Sequence, residues 1–258
     1  VGGGVAGMEA ARTAAMRGHK VFLYEKNGSL GGNLIPGGSH SFKKEVRELN
    51  AWYQNELKAL PVEIYTGETV TSEQLRNMDA DVIILAAGSV PVMPNVPGMD
   101  DKKVLGCMEA FAHPEKVGQK VMVIGGGLVG CEMALDYAQD GKEVMVVETL
   151  PKILSAGIQS PIPNGEMIPD LFEHHHVTVL EKHRLSAVED GKVVLESEGQ
   201  KKVLDADTVV IAVGFRPAPS MAQELQGCGA VVYEIGDGQK VSTILHAVWD
   251  GYEVGNNI

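Results

Sequence analysis

The feature that most constrains this chain is a glycine-rich segment that occurs twice in the same register. Residues 1–11 read VGGGVAGMEAA, and residues 124–134, which lie 123 positions later, read IGGGLVGCEMA. Each copy spells Gly-x-Gly-x-x-Gly and passes into a stretch rich in helix formers. A short apolar strand follows in each copy and ends in an acid, Glu25 in the first and Glu148 in the second. This repetition predicts two copies of one structural unit.

Each residue type in the segment has a physical reason. The first glycine permits a tight turn, the second lets a pyrophosphate approach the backbone, and the third lets the helix pack closely on the strand. The acid about twenty residues later accepts ribose hydroxyl groups. The second copy also has its leading strand, KVMVIG at 120–125, whereas the first copy opens the chain without one. The sequence therefore predicts two dinucleotide-binding units, with the fuller signature in the second.

A second pair of segments also repeats, and each member closes one half of the chain. DADVIILAAGSVPVMP at 79–94 matches DADTVVIAVGFRPAPS at 205–220, at an offset of 126. In each, a buried apolar strand runs into a turn of small residues, Ala87-Gly88 or Val213-Gly214. A missing side chain there would let the backbone pass close to a bound nucleotide.

Strands and helices alternate along the chain, which is typical of α/β proteins with mostly parallel, doubly wound sheets. Residues 90–100, rich in Pro and Gly, look like the exit from the first domain, and 215–220 look like the return. We therefore predict two Rossmann-like three-layer domains with the second inserted into the first. The first comprises residues 1–112 and 216–258, and the second comprises residues 113–215.

Residues 41–60 are predicted to form a helix that packs on the first domain. Their apolar side chains have helical spacing at Phe42, Val46, Leu49, Tyr53 and Leu57.

Charge and hydropathy exclude several partners. The 258 residues contain 34 acids and 22 bases, and a net charge of −12 argues against nucleic acid or an anionic membrane as partner. The apolar runs are shorter than a membrane span, and no basic segment followed by an apolar one opens the chain. We expect a cytoplasmic protein.

The three cysteines, Cys107, Cys131 and Cys228, are widely spaced, so the chain has neither a C-x-x-C dithiol nor a cysteine-ligated cluster. Cys131 follows Gly130 at the start of a predicted helix, where the helix dipole could lower its pKa. We predict instead a packed structural cysteine with no chemical role.

Two polar clusters remain. Gly236-Asp237 follows a predicted strand and precedes a helix that Ser242 or Thr243 could cap, so Asp237 either caps a turn or accepts sugar-like hydroxyl groups. His174, His175 and His176, with His183 nearby, lack the usual spacing of metal ligands, and we expect no metal site.

The order of VGGGVAG, LGGN, AAGSVPVMPNVPG, IGGGLVGCE, AVGFRP and EIGD resembles that in flavoprotein reductases with two dinucleotide domains. LGGNLIPGGSHSFKKEVRELNAWYQNEL and ILSAGIQSPIPNGEMIPDLFEHH are similar to the C-terminal half of the 2-enoate reductase and 2,4-dienoyl-CoA reductase group, to which trimethylamine dehydrogenase is a more distant relative. The resemblance covers the whole chain. It implies FAD in the first domain and NADH in the second.

The resemblance also implies which residues hold each cofactor. FAD would be bound by Gly2, Gly4, Ala6, Gly7, Glu25, Lys26, Gly32, Asn33, Leu34, Ala87, Gly88, Gly236, Asp237 and Thr243. The nicotinamide nucleotide would be bound by Gly125, Gly127, Leu128, Val129, Gly130, Glu132, Glu148 and Gly214. Glu132 either approaches the flavin and nicotinamide or is a solvated helix residue. Because Glu148 would repel a 2′-phosphate and only Lys152 follows closely in sequence, we predict a preference for NADH over NADPH.

In the resembled group an FMN barrel with a [4Fe-4S] cluster precedes these domains on the same polypeptide, so we expect this chain to be a piece of a longer one. Its first expected function is to pass electrons from NADH through FAD to that barrel, which reduces an activated C=C bond. The second is a self-contained NADH-dependent FAD reductase for a separate acceptor such as a ferredoxin. The third is a non-redox nucleotide-binding scaffold. No side chain is predicted to be catalytic, because the cofactors carry the chemistry, and a homo-oligomer is expected.

Overall fold

A computed structural model describes residues 1–156 and 162–258 of the protein. The chain divides into two compact units. Unit 1 comprises Val1–Val90 and Phe215–Ile258, and unit 2 comprises Pro91–Gly214.

Unit 1 begins with elements of the glycine segment and ends with a long C-terminal helix, while unit 2 lies between them along the chain. The first elements are α1 (Val5–Met16), β1 (Val21–Glu25), α2 (Leu34–Gly37), α3 (Lys44–Ala59), β2 (Val62–Thr66), α4 (Ser72–Arg76), β3 (Val82–Leu85) and β4 (Ser89–Pro91). Next come β5 (Val104–Gly106), α5 (Cys107–Ala112), β6 (Lys120–Ile124), α6 (Leu128–Gln139), β7 (Glu143–Val147), α7 (Ile162–His174), β8 (Thr178–Leu180), β9 (Arg184–Glu189), β10 (Lys192–Ser197), β11 (Gln200–Asp205) and β12 (Thr208–Ile211). The last are β13 (Phe215–Pro217), β14 (Val231–Glu234) and α8 (Ile244–Asn257).

Unit 1 contains two parallel strand pairs, β1 with β2 and β14 with β3. The segment of Val1 and Gly2 links them, since Gly2 N donates to Tyr24 O at 2.8 Å and Ala86 N donates to Val1 O at 2.8 Å. Helix α1 packs against α8 through small residues. A side chain at Gly251 of α8 would overlap the carbonyl oxygen of Ala6, so the two helices approach closely only because Gly251 has none.

Unit 2 is built on a five-stranded parallel sheet in the order β5-β12-β6-β7-β8. A three-stranded antiparallel sheet, β11-β10-β9, packs on one face of it. Side chains along β6 point alternately to the two faces of the parallel sheet, and one of these faces meets the antiparallel sheet. Met122 and Ile124 join the core shared with Val193 and Leu195 of β10, whereas buried Val123 lies on the opposite side of the strand.

The predicted α/β class with Rossmann-like units is confirmed, with two differences of detail. One face of the parallel sheet of unit 2 carries antiparallel strands rather than helices. Residues 91–112, which we expected in the first domain, group with unit 2, because β5 hydrogen-bonds to β12 in its sheet. The assignment of one cofactor to each domain stays a prediction.

The predicted amphipathic helix is present as α3, which starts two residues later than its first predicted apolar position. Tyr53 and Leu57 are buried in the core with α1, and Val46 and Leu49 pack against it. Phe42 precedes the helix and stacks on His40 with ring centroids 5.2 Å apart.

In the described parts of the chain, no helix combines the length and apolar character needed to cross a bilayer.

Candidate nucleotide-binding sites

The glycine turn of unit 1 depends on missing side chains. Gly2 has a φ of +101°, and a Cβ there would overlap the carbonyl oxygen of Ala86. A Cβ on Gly7 would overlap the carbonyl oxygen of Gly2, so this glycine lets α1 start directly against the turn. These constraints match the predicted roles of the first and third glycines of the motif.

The start of α1 fits an anionic group. Gly4 is its N-cap, so no cap side chain occupies the first turn, which carries no acidic residue. The first N–H groups of a helix have no partners within the helix, and its dipole favours negative charge there. Among the described residues beyond its chain neighbours, a Cβ on Gly4 would have only Gly32 Cα within 4 Å, at 3.9 Å. The turn is therefore open enough for a pyrophosphate.

Glu25 lies at the end of β1, is only 4% exposed and is held at both carboxylate oxygens. Oε2 accepts from Gly3 N at 2.7 Å, and Oε1 accepts from both the backbone N and the Nδ2 of Asn27 at 2.7 Å. Carboxylate oxygens can accept up to about four hydrogen bonds in all. Glu25 therefore fixes the glycine turn and retains the capacity to accept a ribose hydroxyl.

A loop after β1 reaches the same turn. Gly31 N donates to Gly3 O at 2.8 Å, and a Cβ on Gly32 would lie 2.9 Å from Gly4 Cα. At the other end of the site, Gly238 faces the turn after β3, where an added Cβ would lie 3.4 Å from Ala87 N and 3.5 Å from Gly88 N. The structure thus brings together the predicted glycine turn, the loop after β1 and the turn at Gly236-Asp237, called the GD turn below.

Asp237 is linked to this loop by side chains. Ser89 Oγ donates to Asp237 Oδ2 at 2.8 Å, and Asn33 Nδ2 donates to Ser89 Oγ at 3.3 Å. The other oxygen, Oδ1, accepts from Ser242 N at 2.9 Å. Thr243 is the N-cap of α8, with its side chain accepting from His246 N at 3.4 Å, so capping by Thr243 is confirmed.

Three other predicted residues of unit 1, Ala6, Leu34 and Gly236, could serve a ligand only through their backbone. Ala6 is 8% exposed and packs among Ala10 and Ala247, and Leu34 is 3% exposed in the core under α1. Gly236, with a φ of +62°, is close enough to Ala6 that a Cβ there would lie 2.8 Å from its methyl group. Lys26 is exposed directly after Glu25.

Unit 2 repeats the turn almost contact for contact. Gly125 N donates to Val147 O at 2.8 Å, as Gly2 N does to Tyr24 O. A Cβ on Gly125 would overlap the oxygen of Ala212, and one on Gly130 would overlap the oxygen of Gly125. Gly127 is the N-cap of α6, with no acidic residue in the first turn. Its position has no described atom within 4 Å of an added Cβ, which leaves room for a phosphate.

Glu148 takes the place that Glu25 has in unit 1. It is 6% exposed, and its Oε2 and Oε1 accept from Gly126 N and Leu150 N, each at 2.7 Å. Leu128 and Val129 form the first turn of α6 and are half-buried, while Gly214 is exposed with a φ of +107°. Glu132 is 9% exposed, so the solvated alternative does not apply to it.

The backbone beside Glu148 is hydrogen-bonded to a segment distant in sequence, which carries the basic residues Lys182 and His183. Lys182 N donates to Leu150 O at 3.1 Å, and His183 N donates to Glu148 O at 2.9 Å. Sequence reasoning named only Lys152 here, because the end of β8 is brought beside β7 by the sheet and not by chain proximity.

Sequence reasoning also missed the middle glycines of the two GGG triplets. A Cβ on Gly3 would lie 2.5 Å from Leu30 Cδ2 and 3.1 Å from Glu25 Oε2, and one on Gly126 would lie 2.7 Å from Ile153 Cγ2 and 3.0 Å from Glu148 Oε2. Each middle glycine therefore lets its amide reach the acid. The triplet in both copies was the available signal. Ser89 and Asn27 gave no such signal, because neither repeats.

The remaining candidates are Cys131 and the three consecutive histidines at 174–176. Cys131 is fully buried with Sγ 3.3 Å from Gly126 O, and burial together with nearby Glu148 and Glu132 raises its pKa to about 12. The packed interpretation of Cys131 is confirmed. The rings of His174 and His175 meet edge to face at 4.9 Å. Within residues 1–156 and 162–258, no group of three or more His, Cys, Asp or Glu side chains is placed to hold a metal.

The family described as pyridine nucleotide-disulphide oxidoreductase matches residues 1–237. The chain belongs to this family. It is a flavin-dependent pyridine nucleotide oxidoreductase, and FAD and NAD(H) are the cofactors of the family. The non-redox scaffold is therefore set aside.

The similar proteins within this family include several reductases. Cinnamate reductase from Clostridium sporogenes is 42% identical over 258 residues, which cover 100% of this chain and 38% of that protein. Bilirubin reductase from Mediterraneibacter gnavus is 35% identical over 257 residues, covering 99% and 40%. A solved complex of 2-naphthoyl-CoA reductase superposes with a TM-score of 0.91 at 29% identity, covering 100% and 39%.

Two conclusions follow from these similarities. The predicted resemblance to the enoate reductase group is confirmed. The chain spans about two fifths of the length of these relatives. The quoted segment at 153–175 that contributed to the resemblance includes residues 157–161, which lie outside the described residues.

Proposed function

We propose that unit 1 holds FAD and unit 2 holds NADH, and that the chain passes the electrons of NADH to an FMN and [4Fe-4S] barrel that lies upstream on the same polypeptide. There an activated C=C bond of a 2-enoate or enoyl-CoA would be reduced. The observation that carries dinucleotide binding in both units is the pair of matched turns, each with a glycine N-cap at the helix start and a buried carboxylate.

When bound, FAD supplies the chemistry by accepting hydride from the nicotinamide, which leaves NAD⁺. The residues of unit 1 bind and orient it. The first turn of α1 would hold the pyrophosphate, Glu25 would accept a ribose hydroxyl, and Asp237 would accept hydroxyl groups elsewhere in the flavin nucleotide. Unit 2 has the equivalent first turn and Glu148, but the GD turn belongs to unit 1 alone. This difference favours the flavin nucleotide in unit 1.

The upstream barrel is supported by the similarity to cinnamate reductase, whose name denotes reduction of an α,β-unsaturated carboxylate, and by the length that the relatives have beyond the matched region. A homo-oligomer is part of the same proposal and can be measured by light scattering. An NADH-dependent reductase for a separate acceptor remains the second candidate, because the similar proteins include a nitric oxide reductase FlRd-NAD(+) reductase, 27% identical over 187 residues.

The test is anaerobic addition of NADH to the FAD-loaded chain. We expect the visible absorbance of oxidised flavin to bleach, while the chain alone leaves an enoate or enoyl-CoA unreduced. Asp237→Ala should lower the flavin retained after gel filtration. Unchanged flavin content in that variant would remove Asp237 from the site, and absence of bleaching with bound FAD would overturn the proposed electron path. Reduction of an enoate by the chain alone would remove the barrel from the proposal.

A further inference from the structure

Three polar side chains form a connected line across the candidate site of unit 1. Asn33 Nδ2 donates to Ser89 Oγ at 3.3 Å, and Ser89 Oγ donates to Asp237 Oδ2 at 2.8 Å. They come from three separate segments: the loop before α2, the start of β4 and the turn after β14. Ser89 is the middle member and the only one that contacts both others.

The Ser89 hydroxyl is used both as donor and as acceptor in this line. A serine hydroxyl has one proton to donate, and Ser89 gives it to Asp237, so its lone pairs are available to Asn33. Asp237 is then held at both oxygens, with Ser89 at Oδ2 and Ser242 N at Oδ1, 2.9 Å away. Two anchors on opposite oxygens fix the plane of the carboxylate. Each oxygen keeps the capacity to accept a further hydrogen bond.

The repeat shows that this hydroxyl is not part of the shared turn. At the offset of 126, Gly88 corresponds to Gly214, but Ser89 corresponds to Phe215. The small-residue turn therefore occurs in both halves, while the hydroxyl that follows it occurs only beside Asp237. A residue that merely completed the turn would be needed in both copies.

We propose that Ser89 is a positioning residue that orients the Asp237 carboxylate toward the hydroxyl groups of the flavin nucleotide. The inference rests on the proposed binding of FAD to unit 1. Ser89 acts through Asp237, so its loss should weaken FAD binding only while Asp237 can accept hydrogen bonds as a carboxylate. NAD⁺ affinity should not change, because no residue of the line belongs to unit 2.

The experiment is a double-mutant cycle on the full 258-residue chain, stripped of flavin and titrated with FAD by fluorescence quenching. Ser89→Ala removes the hydroxyl, Ser89→Cys replaces it with a weak donor of similar size, and Ser89→Thr retains it in a residue suited to a strand. Each change is made in the wild type and in Asp237→Ala, which removes both carboxylate oxygens. Ser197→Ala, in the β10–β11 hairpin of unit 2, is the matched control. Circular dichroism and NAD⁺ affinity report whether each variant is folded.

We expect Ser89→Ala and Ser89→Cys to weaken FAD binding about tenfold, the size expected for a lost hydrogen bond to a charged group. Ser89→Thr should stay within about twofold of the wild type, and Ser89→Ala should add nothing in the Asp237→Ala background.

Two results would overturn the inference: wild-type FAD affinity in both hydroxyl-free variants, or an equal loss with and without the Asp237 carboxylate. Failure of Ser89→Thr to retain FAD while folded would also count against it. If the wild type itself binds no FAD, the proposed function fails first, which separates the two claims.

Discussion

The two units build the same turn but surround its carboxylate differently. Glu25 of unit 1 accepts three hydrogen bonds, two of them from Asn27, whereas Glu148 of unit 2 accepts two from described residues, and Leu150 replaces Asn27 at the offset of 123. Unit 1 adds the line through Ser89 to Asp237. The added polar contacts of unit 1 are what we expect around a resident cofactor. The smaller number of hydrogen bonds to Glu148 in unit 2 is what we expect for a substrate that binds and leaves.

The largest expected effects come from two substitutions that each add one methyl group, Gly7→Ala in unit 1 and Gly130→Ala in unit 2. A Cβ at Gly7 or Gly130 would overlap the carbonyl oxygen of the turn, and overpacking of this kind costs about 1–3 kcal/mol or more. Gly7→Ala should weaken FAD binding at least about tenfold. Gly130→Ala should retain FAD but lose its rapid reduction by NADH, as followed by stopped-flow absorbance.

The matched controls for this pair are Gly37→Ala and Gly165→Ala. Both glycines lie in helices, and an added Cβ would have no described atom within 4 Å. Neither control should change FAD content or the reduction rate. Loss of FAD in Gly130→Ala with retention in Gly7→Ala would reverse the assignment of the units.

The next effect concerns the choice of nicotinamide nucleotide. Buried Glu148 should accept ribose hydroxyl groups and repel a 2′-phosphate, with discrimination of about 1–3 kcal/mol, so NADH should reduce bound FAD about tenfold or more faster than NADPH. Glu148→Ala should shrink the ratio of the two rates, whereas Glu25→Ala should leave it unchanged. Faster reduction by NADPH at equal concentration would contradict this role of Glu148 and point to the basic groups near β8.

Another effect should follow from exchanging the residues that donate hydrogen bonds to the two buried carboxylates. Asn27→Leu gives unit 1 the residue of unit 2, removes the Nδ2 donor to Glu25 and keeps the backbone donor. The loss of one side-chain hydrogen bond to a carboxylate should weaken FAD binding by about 1.5 kcal/mol. The reciprocal Leu150→Asn should leave FAD affinity unchanged. Equal FAD affinity in Asn27→Leu and the wild type would show that the extra donor does not distinguish the sites.

The last expected effect concerns stability rather than binding and is seen only at alkaline pH. Cys131 occupies the place of Met8 in the repeat, and burial raises its pKa to about 12. At neutral pH, below the ordinary pKa of about 9, the thiol is neutral whether the chain is folded or unfolded, so its full contribution is present. As pH rises toward 12, only the unfolded thiol ionises, and the free energy of unfolding should fall by up to about 1.4 kcal/mol per pH unit from this group.

Urea unfolding at several pH values measures this slope. Cys131→Ala should be less stable at neutral pH but should lose less stability between pH 9 and 12 than the wild type, whereas Ser197→Ala should follow the wild-type curve. Parallel pH profiles for Cys131→Ala and the wild type would show that this thiol ionises equally in the folded and unfolded chain.

The sequence predicted those parts of the molecule that repeat or that follow local rules. The two turns, Glu25 and Glu148, and the strands that end in them were all visible because spacing alone defines them. Ser89 and Asn27 were not, since their roles depend on segments that meet only in the folded unit. The position of residues 91–112 was missed because pairing of β5 with β12 joins strands about a hundred residues apart.

The most direct test of which unit holds which nucleotide is hydrogen exchange with mass spectrometry on the flavin-free chain. FAD should slow exchange in peptides covering residues 1–9, 24–34 and 232–243. NAD⁺, added to the FAD-loaded chain, should slow exchange in peptides covering 124–132 and 147–154, with at most small changes in the first set. Protection of the unit 2 peptides by FAD, or of the unit 1 turn by NAD⁺ alone, would contradict the assignment.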